Sequence, residues 1–348
     1  MHIIKKYFLL MFLLIISVIL VQGCAGREVE KAGKGEQKKA AKVEAKVWKC
    51  STLYTENHPY YSVAKHFANE VEKRTNGNLK IQIYPGSSLV SPSQEFNSVK
   101  NRAIDCTLAV PSYSEGIHPI TGFAGFLSWY TYDKWDKMHA DVTKICNDKF
   151  FKKEGILFGP PNIMCNYALV SRKPIKAFND QKGLTTRSFG GMMGEVQKKW
   201  ECKPTQVSAP ETYIALQRGI LDTAWLDYSR IVADKIWEVA PYCIGSDELV
   251  APVITLFINL KSFEELPKEY QDVIYAVLEE NFKVGLAVSK ESTQKSMDEV
   301  KKRMKQFTVL QPGELLEMRK LSEPVWEMYI NKAGDPAKEI SAIVKKAN

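Results

Sequence analysis

The chain has 348 residues, of which 45% are hydrophobic, 11% aromatic and 25% charged. That is a globular composition at a length suited to two domains of about 150 residues, and it excludes a wholly disordered, collagenous or disulfide-miniprotein class. The formal charge is +8, but Lys5 and Lys6 with no acid before residue 24, and seven bases against four acids in residues 25–46, account for five of those charges; the three left over residues 47–348 make no basic face for nucleic acid.

Lys5 and Lys6 precede an apolar run from Tyr7 to Val21, broken only by Ser17 and ending in Gln22-Gly23-Cys24. A charged start, an apolar stretch and a small residue read as a secretory signal over residues 1–23, and about 15 apolar residues fall short of the roughly 20 a spanning helix needs. Leu20-Val21-Gln22-Gly23-Cys24 resembles the lipobox of bacterial lipoproteins, which implies lipid on Cys24 and a mature chain anchored outside the cytoplasmic membrane. Residues 24–46, rich in Ala, Lys, Glu and Gly, bury too little apolar surface to fold and read as a flexible tether, with an amphipathic helix as the alternative.

The globular part opens with a strand over Val47–Tyr54 and a helix from Pro59 to Glu72 whose Val63, Phe67 and Val71 recur at four-residue spacing. Asn76-Gly77 turns the chain into the alternating strand Leu79–Tyr84, ended by Pro85-Gly86. A helix over Ser91–Asn101 and a strand over Cys106–Val110 complete a β-α-β-α-β run, the pattern of a parallel sheet. After an irregular stretch at Gly116–Tyr132 come a helix at Lys134–Phe151 and strands at Ile156–Phe158 and Tyr167–Val170. A second cycle follows: strand Leu184–Arg187, helix Gly191–Trp200, strand Pro204–Val207, helix Glu211–Gln217, strand Leu221–Trp225. Ala251–Asn259 reads as a strand returning to the first sheet. Pro267–Gln306 is helical throughout, weakest at Gly285, and would reach about 60 Å, so it must bend or cross both domains. A last helix covers Pro312–Lys332. The fold class is α/β.

With Cys24 set aside, Cys50, Cys106, Cys146, Cys165, Cys202 and Cys243 remain; they form no C-x-x-C, and most read as small buried hydrophobes. No histidine spacing suits zinc, and no phosphate-loop or nucleophile-elbow motif occurs, so no cofactor or metal is called for. Ligands in parallel α/β sheets bind beyond the carboxyl ends of strands. Arg187 sits at such an end, with Ser188-Phe189-Gly190-Gly191 opening the next helix. A guanidinium there offers a carboxylate a planar fork beside free backbone N–H groups, and an exposed turn arginine is the plainer alternative. Asp222, Trp225 and Asp227 cluster at the next strand end, where Trp225 faces either the same mouth or the core. Tyr54 and Glu56 end the first strand, and Tyr113, Trp129 and Tyr130 follow later strands or fill the irregular stretch. An extracytoplasmic hydrolase using Asp105, Asp222 or Asp227 has no positive support.

Gly183-Leu184-Thr185-Thr186-Arg187, Cys202-Lys203-Pro204 and Glu211-Thr212-Tyr213-Ile214-Ala215-Leu216-Gln217-Arg218-Gly219-Ile220-Leu221-Asp222 resemble the signature of the extracytoplasmic solute receptors of TRAP (tripartite ATP-independent periplasmic) transporters. The similarity extends to Ser171-Arg172-Lys173-Pro174-Ile175, Asn76-Gly77-Asn78-Leu79, Pro85-Gly86 and Leu266-Pro267. It implies a two-lobed periplasmic-binding-protein-like fold: lobe I over 47–165 with a return strand near 251–262, lobe II over 166–250, a spanning helix over 267–306 and C-terminal helices over 307–348. It implies no enzymatic activity, capture of an organic acid, and the membrane subunits of the transporter as partners; an accessory protein of a membrane sensor is the other receptor role. Arg187 matches the family's carboxylate-binding arginine, Trp225, Phe189, Tyr54, Tyr113 and Trp129 would enclose the ligand, and Glu56 or Asp227 would take its donors. The second arginine of sialic-acid-type members has no counterpart between Gly159 and Ser171, and Thr223 stands where a glycine is usual. A one-arginine pocket favours a monocarboxylate with an apolar or aromatic body.

Overall fold

The computed structural model describes residues 45–125, 132–246 and 252–347. The leader, Cys24, nearly all of the 24–46 stretch, Trp129 and Tyr130 lie outside the described residues.

The strands in chain order are β1 (Lys46–Thr52), β2 (Leu79–Tyr84), β3 (Cys106–Ala109), β4 (Ile156–Phe158), β5 (Asn162–Ile163), β6 (Tyr167–Ser171), β7 (Thr185–Ser188), β8 (Lys203–Gln206), β9 (Thr223–Asp227), β10 (Tyr242–Gly245), β11 (Val253–Asn259) and β12 (Gln306–Val309). They form two sheets: β2-β1-β3-β11-β4, with β5 on the end of β11, and β12-β10-β6-β9-β7-β8. In the first, β1 is parallel to β2 and β3, while the returning β11 runs antiparallel to β3, β4 and β5. In the second, β7 is parallel to β8 and β9, and β6 is antiparallel to β9 and β10.

The first connection shows how the sequence builds these units. Helix Tyr61–Arg74 buries Val63, Ala64, Phe67, Ala68 and Val71 along one stripe and ends in Lys73 and Arg74, which suit the negative end of its dipole. Thr75 Oγ1 donates to the Val71 carbonyl at 2.8 Å, and Asn76 and Gly77 then take left-handed backbone (φ 51° and 76°) to reverse the chain into β2.

Helix Lys268–Arg303 runs unbroken for 36 residues, about 54 Å at the α-helical rise. It packs against helix Tyr61–Arg74 of the first lobe and helix Tyr228–Ala233 of the second. Gly285, the expected weak point, is a point of contact: a Cβ there would lie 2.6 Å from the Asn162 side chain, so its absence admits β5 against the helix. Hydroxyls continue the seam, with Ser289 Oγ 3.0 Å from Tyr60 Oη and Thr293 Oγ1 2.9 Å from Tyr132 Oη. The helix stops short of Gln306 because Gln306–Val309 is the edge strand β12, paired with β10. All six cysteines among the described residues are buried free thiols.

Candidate functional site

Arg187 lies on β7, level with Ala224 of β9, and is 2% exposed. Its Nε donates to the Val207 carbonyl at 3.0 Å, Nη1 to the Trp225 carbonyl at 3.1 Å and Nη2 to Tyr113 Oη at 2.8 Å. Phe189 covers the guanidinium, its ring centre 5.5 Å from Cζ. Each of those three acceptors is an uncharged oxygen, so they orient the cation without neutralising it. Tyr113 comes from the turn Pro111–Ser114 after β3, and its oxygen also accepts from the Ala209 N–H at 3.0 Å. One hydroxyl of the first lobe therefore meets two donors of the second.

A second guanidinium enters from the helix that follows β9. Asp227 caps that helix, accepting from the Arg230 N–H at 2.9 Å and from Ser229 Oγ. Arg230 is 2% exposed; its Nη1 reaches Asp234 Oδ2 at 3.3 Å, its Cζ lies 5.6 Å from the Tyr54 ring centre, and its Nη2 is buried with no hydrogen-bond partner among the described residues. Burial opposes the Arg230 charge, and Asp234 and Asp227 outweigh it and keep the guanidinium protonated. Burial raises the pKa of the Asp227 carboxyl, with Arg230 pulling it back. Next to it, burial and then Arg230 hold the His58 imidazole well below its ordinary pKa, hence neutral at pH 7, with Nε2 3.9 Å from Asp227 Oδ1.

Arg187, Arg230, Tyr54, Tyr113, Phe189 and Asp227 share one enclosed cavity, closed by Met164, Tyr167 and aliphatic side chains. Its volume is about 20 Å³, room for about one water, so a larger occupant must part the walls.

Five of the residues singled out in the sequence thus converge here, and others do not. Trp225 contributes its carbonyl, but its ring lies in the second lobe's core, 5.7 Å from the Trp200 ring, with Nε1 donating to Gln181 Oε1 at 3.2 Å. Strand alternation accounts for this, since Leu226 next to it faces the cavity. Glu56 is exposed and lines an open groove between the start of the first helix and the long helix. The one-arginine expectation is corrected by Arg230, which comes from an element the sequence reading left unassigned. Its signal was the Asp227-Tyr228-Ser229-Arg230 spacing, a capping aspartate with a cation on the same first turn.

Glu115, also unanticipated, sits one step beyond Tyr113. It is 2% exposed, and its Oε1 accepts from the Met192 N–H at the start of helix Gly191–Lys199 in the opposite lobe. Burial pushes its carboxyl up to about 7 against the Met192 bond and Lys332, which lower it; Tyr329 is the other titratable group beside it. The packed form therefore holds a proton that an exposed carboxylate releases. Its contribution is full below the ordinary carboxylate pKa and is lost as the pH rises through about 7. In thermal melts between about pH 5 and pH 8, Glu115→Gln should show a smaller fall in melting temperature with rising pH than the parent chain. Parallel curves would refute this linkage.

A family model described as bacterial extracellular solute-binding protein, family 7 (DctP) matches residues 50–332. The chain belongs to this family. Among curated relatives of the family 7 protein, a solute-binding protein of Albidiferax ferrireducens is 26% identical over 243 residues, 66% of this chain and 68% of the relative. A monocarboxylate 2-oxoacid-binding periplasmic protein of Nostoc is 25% identical over 65% and 63%. The 2,3-diketo-L-gulonate-binding periplasmic protein of Escherichia coli is 24% identical over 68% and 73%. The fold matches a Bordetella pertussis extracytoplasmic solute receptor binding pyroglutamic acid, with TM-score 0.80 and 17% identity over 86% of this chain and 100% of that one. It equally matches a TRAP periplasmic solute-binding protein of Desulfovibrio salexigens with bound orotic acid, TM-score 0.80, 23% identity, over 86% and 98%. The α/β class, the two sheets and the long helix agree with those structures, and these relatives are solute-binding proteins, not enzymes.

Proposed function

We propose that this family 7 protein is a lipid-anchored extracytoplasmic receptor that captures a small organic acid between its lobes and delivers it to the membrane subunits of a TRAP transporter. The observation that carries the reading is Arg187, a buried guanidinium fixed by uncharged oxygens in the wall between the lobes. A buried charge without a matching ion is costly, and a carboxylate that pairs with it gains both Coulomb energy and a bidentate fit. Phe189 and Tyr54 enclose the acid, Tyr113 donates to it, and Asp227 accepts from it. Closure over the acid excludes water and gives the membrane subunits a distinct shape to engage. Cys24 carries the lipid and residues 25–46 the slack between membrane and lobes.

A thermal-shift screen of organic acids tests the reading, because a ligand of the folded state alone raises the melting temperature as its concentration exceeds Kd. At about 100 times Kd the gain is about 2.7 kcal/mol. Sugars, amines and esters should give no shift; turnover of any ester or glycoside, or silence across all acids, contradicts it. Mass spectrometry of the mature N-terminus locates the lipid, which Cys24→Ser should abolish.

A further inference from the structure

The two arginines of the cleft differ in what surrounds them. The uncharged oxygens around Arg187 leave its charge for an anion to balance. Arg230 already has Asp227 and Asp234 beside it, and Asp227 is itself buried in the cavity wall. What Arg230 Nη2 lacks is an acceptor: it is buried, with no hydrogen-bond partner among the described residues. The Tyr54 face holds the guanidinium in place, so this donor is oriented rather than mobile.

We propose that Arg230 is a specificity-determining residue whose Nη2 donates to an uncharged oxygen, a keto, hydroxyl or amide carbonyl group, on a monocarboxylate held by Arg187. This rests on the receptor reading above and names its ligand class: oxygen-substituted monocarboxylic acids. A plain alkanoic acid leaves Nη2 buried without an acceptor, which is the costly half of a broken hydrogen bond. A dicarboxylate brings a second negative charge towards Asp227, which repels it.

Calorimetry on the full chain with matched acids tests this. The pairs are propionate against pyruvate and lactate, butyrate against 2-oxobutyrate, and cyclopentanecarboxylate against pyroglutamate, with malonate and succinate as the dicarboxylates. The tightest-binding oxygenated acid should exceed its plain counterpart by about thirtyfold or more, and both dicarboxylates by a similar factor. In Arg230→Gln that ratio should shrink to about threefold. Should Asp227, left without its partner, prevent Arg230→Gln from folding, Arg230→Lys keeps the charge while displacing the donor and should show the same collapse. Equal binding of plain and oxygenated acids by the parent chain, tighter dicarboxylate binding, or an unchanged ratio in the variant that folds overturns the assignment and leaves the receptor reading standing. If the parent chain binds no acid in the panel, the ligand class named here falls, and the receptor reading stands or falls on the wider acid screen above.

Discussion

Arg187→Ala loses the acid. Truncation removes the cation proposed to pair with a buried carboxylate at that wall, and breaking a buried charge pair costs about 3–5 kcal/mol. At about 1.4 kcal/mol per decade this weakens Kd by roughly two to three and a half powers of ten. The residues that fixed the guanidinium lie just after β8 (Val207), within β9 (Trp225) and in a turn (Tyr113), so the loss should fall on binding more than on folding. Arg187→Lys should recover part of the affinity, because an ammonium restores the charge but not the fork. Calorimetry with the best acid from the screen gives both numbers. An Arg187→Ala protein that binds within threefold of the parent removes the acid from this wall.

Gly190→Ala should bind weakly for a different reason. Gly190 has extended backbone, φ −172°, which any residue adopts, so the substitution introduces no local strain. Across the cleft, however, a Cβ at Gly190 would stand 2.5 Å from the Glu115 carboxylate and 2.8 Å from the Ser112 carbonyl. A side chain can swing aside, but a backbone carbonyl moves only with its lobe. The methyl group therefore acts as a wedge that opposes closure and leaves the cation untouched. Overpacking of this kind costs about 1–3 kcal/mol, a loss of roughly 5- to 150-fold in affinity. Small-angle scattering at saturating acid should give a larger radius of gyration than the liganded parent, with a faster off-rate. Gly191→Ala, where the nearest contacts are Tyr329 Oη at 3.0 Å and Glu115 at 3.1 Å, should show a weaker form of the same defect. A Gly190→Ala protein as compact and as tightly liganded as the parent rules out closure along this contact.

The elements read correctly from sequence were those whose pattern is local. Leu79–Tyr84 alternates, and its strand has those bounds; the Val63-Phe67-Val71 stripe is buried as its spacing requires. The long helix was visible, and its length required a bend or a crossing of both domains; the resemblance pointed to the crossing, since contacts with residues 60, 132 and 162 leave no periodic trace. Elements whose stability comes from neighbours were missed. Strands β10 and β12, of four residues each, and helix Tyr228–Ala233, of six, lie outside the strand-helix alternation that made the equally short β7 and β8 legible. Helix Asp335–Ala347, packed on helices Pro312–Ala333 and Tyr132–Cys146, was covered only by the C-terminal helices that the resemblance implied over 307–348. The helix read as ending at Phe151 is α-helical only to Cys146 and finishes in a wider turn from Asn147, whose amide side chain binds both ways to the Phe158 backbone. At the site, strand ends and glycines identified Arg187 and its neighbours. Arg230 and Glu115 escaped notice because a charged residue on a short helix or turn reads as solvated until tertiary packing buries it.

The hydroxyl of Tyr113 belongs to one half of the molecule yet is held by an amide and a guanidinium of the other. On the proposed receptor reading, the atom that steadies the anchoring cation is also a clasp between the halves, which couples cargo to outline. On that same reading, a transporter pressing on the outer faces would sense a filled receptor without touching what it carries, and prising the halves apart would loosen the grip at the same stroke.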